Sequence, residues 1–572
     1  AIHIRNSSLI KGIKIGATKE RITQMADDTT IFVKDINSVK TVLDTLYHFS
    51  KCAGLKLNKD KTEAIQLGIP FFKIKSKFGI KWVDGPTKVN GIWVGKDNKA
   101  LYEKNIIDKI AKLKTLLNIW SAKNLSIKGK ITVIRNLALP LLLYPFTVLH
   151  VKEEDIINVD KIFFNFVWPN GKFHVKKTVF TQKVDLGGLN MPDFLSLMKA
   201  LRLTWIKRLY YKDNTFTKLV QSLLGLRDIK TFIKSKPTVN PINGSHFYKD
   251  VFDTWHSFYN TEPKHPMQIL CEPIWHNQFI TVGNVEIVNQ KLSNCGILTI
   301  RSLLDDGGTL KSHKDVEDQY NTTFNVMLYN SIKSAIPRTW LNKITSKSIT
   351  KYTNEMPDIL LYDGKSLKEL NVCRCKFFYN FLVSAKAEDP PACSRWERIY
   401  TDFNFDWSEI FLLPYKVARE TYLQSFQYKV LNRFIACKSN LYKWSKSPSP
   451  SCVDCGELDT IEHHLFKCNH LQHFWQQLFD CIYVKTNLRI NLSVPDILFG
   501  LYNEMDDDTL KIYNSCILLA KDYIYNCKIN MKTVCYNEYI NKLRFRLEIE
   551  KHIATTSNSI NDFQKTWRNF IT

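Results

Sequence analysis

Two short runs of β-branched and apolar residues near the start of the chain flank a pair of adjacent aspartates, Asp27 and Asp28. The first run is Ile-Thr-Gln-Met at residues 22–25, and the second is Thr-Thr-Ile-Phe-Val at residues 29–33. Such runs around turn-forming residues predict a strand, a tight turn and a second strand. Because two carboxylates at one turn repel each other, they favour a cation between them, and hard oxygen ligands suit Mg²⁺. Asp27 and Asp28 are therefore candidate magnesium ligands, and the alternative is a solvated turn, since Asp is common in turns.

Downstream of this hairpin the apolar residues recur at intervals of three and four, which predicts α-helices. Residues 36–50 form the first such stretch, and the pattern is helical again from about residue 100. A further helix begins near Leu125, and we expect it to stop at Pro140 because proline interrupts helical hydrogen bonding. The segment from Asp508 to about Ala554 predicts two or three more helices.

The size and charge of the chain narrow the choice of partners. A length of 572 residues predicts three or more domains, and 44% hydrophobic residues are ample for globular folding. The 80 Lys and Arg outnumber the 55 Asp and Glu, giving a formal net charge of +25. Such an excess favours a polyanionic partner, with nucleic acid as the first candidate and an anionic membrane surface as the alternative.

The longest apolar stretch, Ile131 to His150, is interrupted by Arg135, Pro140 and Pro145. Because a spanning helix needs about 20 uninterrupted apolar residues, we interpret the stretch as buried helix and turn and expect no membrane association. The 14 cysteines are spread along the chain apart from one compact cluster with histidine. This distribution favours an intracellular protein with free thiols and one metal site.

That cluster combines a Cys-x2-Cys turn at Cys452 and Cys455 with His463 and Cys468. Two thiolates from one turn, with His463 and Cys468 separated by four residues, provide four N and S ligands and no open position. This donor set describes a structural Zn²⁺ site. His464 is the rival histidine ligand.

The order of three segments resembles the reverse transcriptase of LINE-type, non-LTR retrotransposons. The first segment is Met25-Ala26-Asp27-Asp28, the second is residues 54–62 (Gly-Leu-Lys-Leu-Asn-Lys-Asp-Lys-Thr), and the third is Asn90-Gly91-Ile92. Two residues depart from the family pattern: Met25 replaces the usual tyrosine, and Ala53 replaces the serine before the second segment.

Two later segments strengthen the resemblance. Residues 120–130 match a Trp-x-x-x-x-Leu-Ser-x-x-Gly-Arg/Lys element that follows the palm in these enzymes. The spacing Cys-x2-Cys-x7-His-x4-Cys, with its Thr-Ile-Glu-His lead-in, resembles the zinc knuckle near the C-terminus of LINE-type polyproteins, and the family pattern favours His463 over His464. Such knuckles contact nucleic acid.

The resemblance implies an RNA-directed DNA polymerase in the nucleus and cytoplasm that uses template RNA, a DNA primer or target and deoxynucleoside triphosphates. Asp27 and Asp28 would hold Mg²⁺ for two-metal nucleotidyl transfer. Lys61 would lie beside the nucleotide as a general acid for the departing pyrophosphate, or else be an exposed loop lysine. The lysines expected to grip the duplex backbone, without reading sequence, are Lys112, Lys128 and Lys130.

The implied fold is α+β: a partial palm of β-hairpins plus a helix, then a mostly α-helical thumb and C-terminal region with a small zinc knuckle. The expected segments are a partial palm (1–97), a helical thumb (98–200), a mainly helical connector (201–420), the CCHC knuckle region (421–480) and a helical tail (481–572). We expect the chain to begin inside the palm, without the first metal-binding aspartate, and to be inactive alone. The alternative is a non-catalytic nucleic-acid-binding relic with a structural zinc site.

Overall fold

The computed structural model describes residues 1–15, 18–26, 28–55, 57–68, 77–169, 174–212, 214–226, 228–238, 242, 245–344, 359–502 and 506–571. The protein contains many helices and six small two-stranded sheets within these residues, which is compatible with an α+β fold. The chain divides into two compact units, each assembled from separated segments. Unit 1 comprises Ala1–Lys114, Pro140–Val159 and Phe194–Leu382, and unit 2 comprises Thr115–Leu139, Asp160–Asp193 and Val383–Thr572.

The helices of the first half of the chain are mostly short. They are Ile2–Asn6, Ile36–Ala53, Lys77–Gly79, Asn98–Tyr102, Glu103–Ile107, Asp108–Ser121, Ile127–Val133, Ile134–Ala138, Leu139–Val148, Glu153–Val167, Lys177–Phe180, Val184–Leu186, Phe194–Tyr211, Thr215–Leu223, Ile229–Lys234, His246–Tyr259 and Pro266–Cys271. Those of the second half are Gln290–Asn294, Ile300–Leu303, His313–Tyr320, Val326–Ala335, Arg338–Leu341, Cys375–Ser384, Pro391–Ile399, Trp407–Val417, Thr421–Leu431, Lys438–Lys443, His463–Lys467, Asn469–Thr486, Val494–Phe499, Asp507–Ile529, Tyr536–Thr556 and Ile560–Ile571.

The strands that the structure describes all lie in unit 1. The antiparallel pairs are Ile13–Ile15 with Thr18–Glu20, Ile22–Met25 with Asp28–Ile31, Thr87–Val89 with Ile92–Val94, Thr281–Val282 with Val285–Glu286, and Leu360–Tyr362 with Leu367–Glu369. Glu63–Ile65 pairs with Lys81–Val83 in parallel.

The aspartate hairpin packs on the helix that follows it. Ile22 is buried with Val42 of helix Ile36–Ala53, and Ile31 and Leu46 pack against the same cluster. The helix begins at an aspartate cap, where Asp35 Oδ1 accepts a hydrogen bond from the Ser38 backbone at 2.8 Å. The predicted helix over residues 36–50 is confirmed, and its apolar face fixes the hairpin.

The Asn90-Gly91 turn joins strands Thr87–Val89 and Ile92–Val94, and Val89 pairs with Ile92 across it. Both turn residues have positive φ, 46° and 84°, which is the condition for a two-residue type I′ hairpin. Asn105 completes the hairpin edge: its side chain bonds both the N–H and the C=O of Trp93, at 2.9 and 2.8 Å. The local sequence therefore determines the turn, and the side-chain amide of Asn105 satisfies the backbone at the edge of strand Ile92–Val94.

The helix that begins near Leu125 does not stop at Pro140, so that expectation is wrong. Ser126 caps the helix through a 3.1 Å bond from the Gly129 backbone, and helical structure continues to Val148. A turn with π geometry, Ile134–Ala138, ends two residues before Pro140. Wider turns of this kind accommodate a residue that cannot donate a backbone hydrogen bond.

The stretch Ile127–Val148 is the one helix of the described residues that is long and apolar enough to cross a membrane. In the protein 44% of its most apolar window is buried. A core helix meets the same criteria, so length and composition alone assign this helix no membrane role.

Unit 2 is built around helix Asp507–Ile529, which is buried on nearly all sides from Ile512 to Ile524. Most of these buried residues are apolar, and the buried polar ones are Asn514, Ser515, Lys521 and Asp522. The predicted segment from Asp508 to about Ala554 contains two helices, Asp507–Ile529 and Tyr536–Thr556, and a further helix that was not predicted, Ile560–Ile571, follows it. Helix Thr421–Leu431 packs against this central helix, and Cys452 and Cys468 lie in the same buried cluster.

Candidate functional site

The tip of the aspartate hairpin is formed by strands Ile22–Met25 and Asp28–Ile31, in which Met25 pairs with Asp28. Asp27 lies outside the described residues. Asp28 is exposed, and Met25 is 65% exposed. No group of three or more metal-ligating side chains among the described residues includes Asp28. The magnesium site therefore stays a prediction.

Lys61 is exposed in the loop that precedes strand Glu63–Ile65. Asn58 shapes this loop, because its side-chain oxygen accepts from the Lys61 backbone at 3.1 Å and its carbonyl accepts from the Thr62 hydroxyl at 2.7 Å. These bonds explain locally why Asn58 and Thr62 flank the lysine. They leave the Lys61 side chain in solvent, and its role as a general acid stays a prediction.

The three predicted backbone-gripping lysines differ in their surroundings. Lys112 is exposed in unit 1, whereas Lys128 and Lys130 are half-buried in unit 2. The Lys128 ammonium lies 5.2 Å from the centre of the Tyr415 ring. The Lys130 ammonium donates to the Val167 carbonyl at 3.3 Å.

Lys128 and Lys130 are each accompanied by a second cation. Burial lowers the pKa of Lys128, and the charge of Arg135 lowers it further. Burial likewise lowers the pKa of Lys130, and the charge of Lys429 lowers it further. No carboxylate of the described residues acts electrostatically on Lys128 or Lys130 themselves. Asp522 lies near Lys429, so the second pair has one carboxylate in range. Clustered cations are suited to contacts with phosphate.

Cys452, Cys455, His463 and Cys468, the Cys3His cluster, present four ligand atoms that all lie within 4.8 Å of one another. Cys455 Sγ lies 3.2 Å from His463 Nε2 and 3.9 Å from Cys468 Sγ. With Zn–S bonds of about 2.3 Å, a tetrahedron has S···S edges of about 3.8 Å. The cluster therefore fits a Zn²⁺ ion, and it includes His463 rather than His464.

Local backbone structure positions these ligands. The Gly456 N–H donates to the Cys452 carbonyl at 3.0 Å, and the Cys452 N–H donates to the Glu457 carbonyl at 2.7 Å, which closes the Cys-x2-Cys turn. His463 is the first residue of the π turn His463–Lys467, and Cys468 is the N-cap residue of helix Asn469–Thr486. The turn and the helix start bring the two pairs of ligands together.

The electrostatic surroundings suit a metal-bound histidine. His463 Nε2 faces the thiols, and Nδ1 lies 3.3 Å from Glu457 Oε2, a carboxylate–histidine arrangement that orients metal ligands. Burial lowers the pKa of His463, which keeps the ring neutral and able to coordinate. Burial raises the pKa of Cys468 to about 12, so zinc binding there displaces a proton.

His464 has a different partner. Its Nδ1 lies 2.9 and 3.1 Å from the two carboxylate oxygens of Asp459, and both residues are buried. Burial raises and the bond to His464 lowers the pKa of Asp459, with a net shift downward. Asp459 also accepts from the Lys438 backbone at 2.8 Å. The His464–Asp459 pair thus joins the knuckle to the start of helix Lys438–Lys443.

Two residues beside the cluster, Glu457 and Lys528, were not identified from the sequence. Glu457 follows Cys455 by two positions, so its proximity could have been inferred from the tight turn. Lys528 lies in the last turn of helix Asp507–Ile529, far along the chain, and no sequence pattern signals its presence at this site.

The comparisons with known proteins agree with an origin in a transposable element. No protein-family model matches the chain. It is 19% identical, over 79% of its own length, to the Transposon TX1 uncharacterized 149 kDa protein of Xenopus laevis. The chain spans 38% of the length of that protein.

Proposed function

We propose that this chain is the downstream part of the RNA-directed DNA polymerase of a non-LTR retrotransposon. One observation carries the proposal: Met25-Ala26-Asp27-Asp28, the Asn58 to Thr62 loop and the Asn90-Gly91 hairpin follow one another in the order of that family. Similarity to a transposon protein and a net charge of +25 support it independently.

The proposed chemistry is metal-assisted nucleotidyl transfer at the hairpin tip. Asp27 and Asp28 would hold Mg²⁺, which would supply positive charge to the primer hydroxyl and the triphosphate. Lys61 delivers a proton to the pyrophosphate leaving group. The template is RNA, and the primer is a DNA end.

The remaining basic residues hold the nucleic acid. Exposed Lys112 and the half-buried Lys128 and Lys130 contact duplex phosphates. The presence of a second cation beside each of the latter two, Arg135 and Lys429, supports this role. Such contacts bind backbone without selecting sequence.

Primer extension on an RNA template tests the proposal, using the 572-residue chain and a version extended upstream of Ala1. We expect extension from the longer protein, and its loss in Asp27→Asn because a neutral amide holds Mg²⁺ poorly. Asp306→Asn is a matched control. It belongs to another Asp-Asp pair of unit 1, its side chain is 96% exposed, and it accepts a hydrogen bond from Arg301 at 3.0 Å in a surface turn. Extension that persists in Asp27→Asn would refute the assigned site.

A non-catalytic nucleic-acid-binding protein is the second candidate, because the net charge and the Cys3His cluster do not depend on the hairpin carboxylates. It predicts that the longer protein binds RNA–DNA duplex with a steep salt dependence and extends no primer. The same assay, with binding measured in parallel, separates the two functions.

A further inference from the structure

Lys528 lies beside the Cys3His cluster and is almost completely enclosed. Its side chain is only 9% exposed, and its ammonium has no hydrogen-bond partner among the described residues. The nearest carboxylate oxygen is Oδ2 of Asp454, at 4.0 Å. An ammonium removed from water without an acceptor is costly, so this position needs a partner that supplies negative charge.

Asp454 accounts for only part of that charge. Its side chain is 41% exposed, and a contact of 4.0 Å with a water-screened carboxylate contributes little. The same Asp454 oxygen lies 3.8 Å from Cys452 Sγ, so the ammonium is close to the cluster. Asp459 is also within electrostatic range of Lys528, but its carboxylate is already bonded to His464.

A simple charge count shows what the cluster lacks. Three thiolates and a neutral imidazole around Zn²⁺ leave one net negative charge. Cys452, His463 and Cys468 are at most 5% exposed, so water cannot solvate that charge well. One buried ammonium at this place offsets the net charge of the metal and its four ligands; the carboxylates of Asp454 and Glu457, which are 41% and 62% exposed, are left to water.

We propose that Lys528 is the charge-compensating residue of the Cys3His cluster. Its ammonium lies 4.0 Å from Asp454 Oδ2, which is itself 3.8 Å from Cys452 Sγ. From this position it offsets the negative charge of the metal-loaded site and raises the affinity of the site for zinc. The residue acts through the ligands and does not coordinate the metal. The proposal rests on the cluster being a zinc site and is independent of polymerase activity.

The test compares zinc affinity, measured by chelator competition on the full chain, in wild type, Lys528→Met and Lys528→Arg. We expect Lys528→Met to weaken zinc binding by about tenfold or more, as loss of outer-shell partners does elsewhere. Lys528→Arg keeps the charge and should retain most of the affinity. Should Lys528→Met fail to fold by circular dichroism, Lys528→Gln replaces it.

Lys521→Met is the matched control. Lys521 is a buried lysine on the same helix, and its ammonium bonds Gln427 Oε1 at 2.8 Å and the Leu498 carbonyl at 3.1 Å. Burial lowers the pKa of Lys521 to about 7, so its replacement removes a buried amine that is partly charged at neutral pH. Neither of its hydrogen bonds is to a residue of the cluster, and zinc affinity should stay unchanged.

Cobalt substitution gives a second readout. A positive charge near the sulfurs stabilises their lone pairs and raises the energy of sulfur-to-cobalt charge transfer. The charge-transfer band should therefore move to longer wavelength in Lys528→Met and stay in place in Lys521→Met and Lys528→Arg.

Three results would overturn the proposal: unchanged zinc affinity in Lys528→Met, an equal loss in Lys528→Arg, or an equal loss in Lys521→Met. The second would assign Lys528 a packing role, and the third a general effect on stability. A wild-type chain that binds no zinc would refute the metal centre itself, leaving the polymerase proposal to its own assay.

Discussion

The imidazole of His463 is held between two groups, with Nε2 3.2 Å from Cys455 Sγ and Nδ1 3.3 Å from the Glu457 carboxylate. Glu457 therefore selects the tautomer that leaves Nε2 free to coordinate. The carboxylate is 62% exposed, so water competes for this bond. An orienting residue of this kind fixes the geometry of a ligand without touching the metal.

Glu457→Ala should lower zinc affinity by about tenfold, at the weak end of the range for outer-shell partners because of that exposure. Glu457→Gln should lose less, since its amide oxygen still accepts from Nδ1–H. The turn itself should survive both changes, because the Cys452 N–H bonds the backbone carbonyl of residue 457. Chelator competition measures the effect, with Glu548→Ala on an exposed helical face as control. Equal affinity in Glu457→Ala and wild type would contradict the orienting role.

The residues of the knuckle were predictable because they are close in sequence. A Cys-x2-Cys turn and a nearby His and Cys restrict the possible geometry on their own. Lys528 was not predictable, because its position depends on how helix Asp507–Ile529 packs. The paired aspartates were predictable only in part. Their sequence context predicts a hairpin, and strands Ile22–Met25 and Asp28–Ile31 form one. A metal site also needs ligands from other parts of the chain, which the local sequence does not predict.

At the scale of elements, the Asn90-Gly91 hairpin shows how a turn residue sets local stability. Gly91 has φ of 84°, and a Cβ there would meet the Tyr144 ring at 3.4 Å. Gly91→Ala should lower the opening free energy of this hairpin by about 1–2 kcal/mol, because the left-handed region is unfavourable for a residue with a Cβ. Hydrogen exchange in strands Thr87–Val89 and Ile92–Val94 measures it.

The control for this change is Gly85→Ala. Gly85 is exposed near the same hairpin, has no left-handed φ, and a Cβ there meets no atom within 4 Å. Its substitution should leave exchange in the hairpin unchanged. Equal acceleration in the two variants would show that the turn geometry is not what glycine supplies at position 91.

Element boundaries were predicted well where the signal is local and poorly where packing overrides it. The helix starts near residues 36 and 125 were predicted, and in the structure Asp35 and Ser126 cap these helices. Pro140 does not end the helix because a π turn precedes it and neighbouring side chains bury the helix.

The buried ion pair of Lys236 and Glu272, 2.6 Å apart, was not predictable from the local sequence, because its partners meet only through tertiary packing.

At the scale of the whole molecule, the sequence predicts segments and the fold assembles them. The division into palm, thumb, connector, knuckle and tail follows the order of motifs and stays a prediction. The two compact units join stretches that are far apart in the chain, such as Thr115–Leu139 and Val383–Thr572 of unit 2. Contacts between residues far apart in the chain determine which segments share a unit. Hydrophobic periodicity predicts helices and strands but does not predict these contacts.

Metal removal should therefore affect unit 2 locally and leave unit 1 unchanged. Zinc at about a thousandfold excess over its dissociation constant stabilises the folded knuckle by about 4.1 kcal/mol, so its removal should speed amide exchange there by up to about a thousandfold. We expect this in residues 451–468 after treatment with 1,10-phenanthroline. Helix Asp507–Ile529 should stay protected because its core is apolar, and hairpin residues 87–94 of unit 1 should not respond. The non-chelating isomer 1,7-phenanthroline is the matched control, and unchanged exchange at the knuckle, or an equal increase in unit 1, would contradict a local structural zinc.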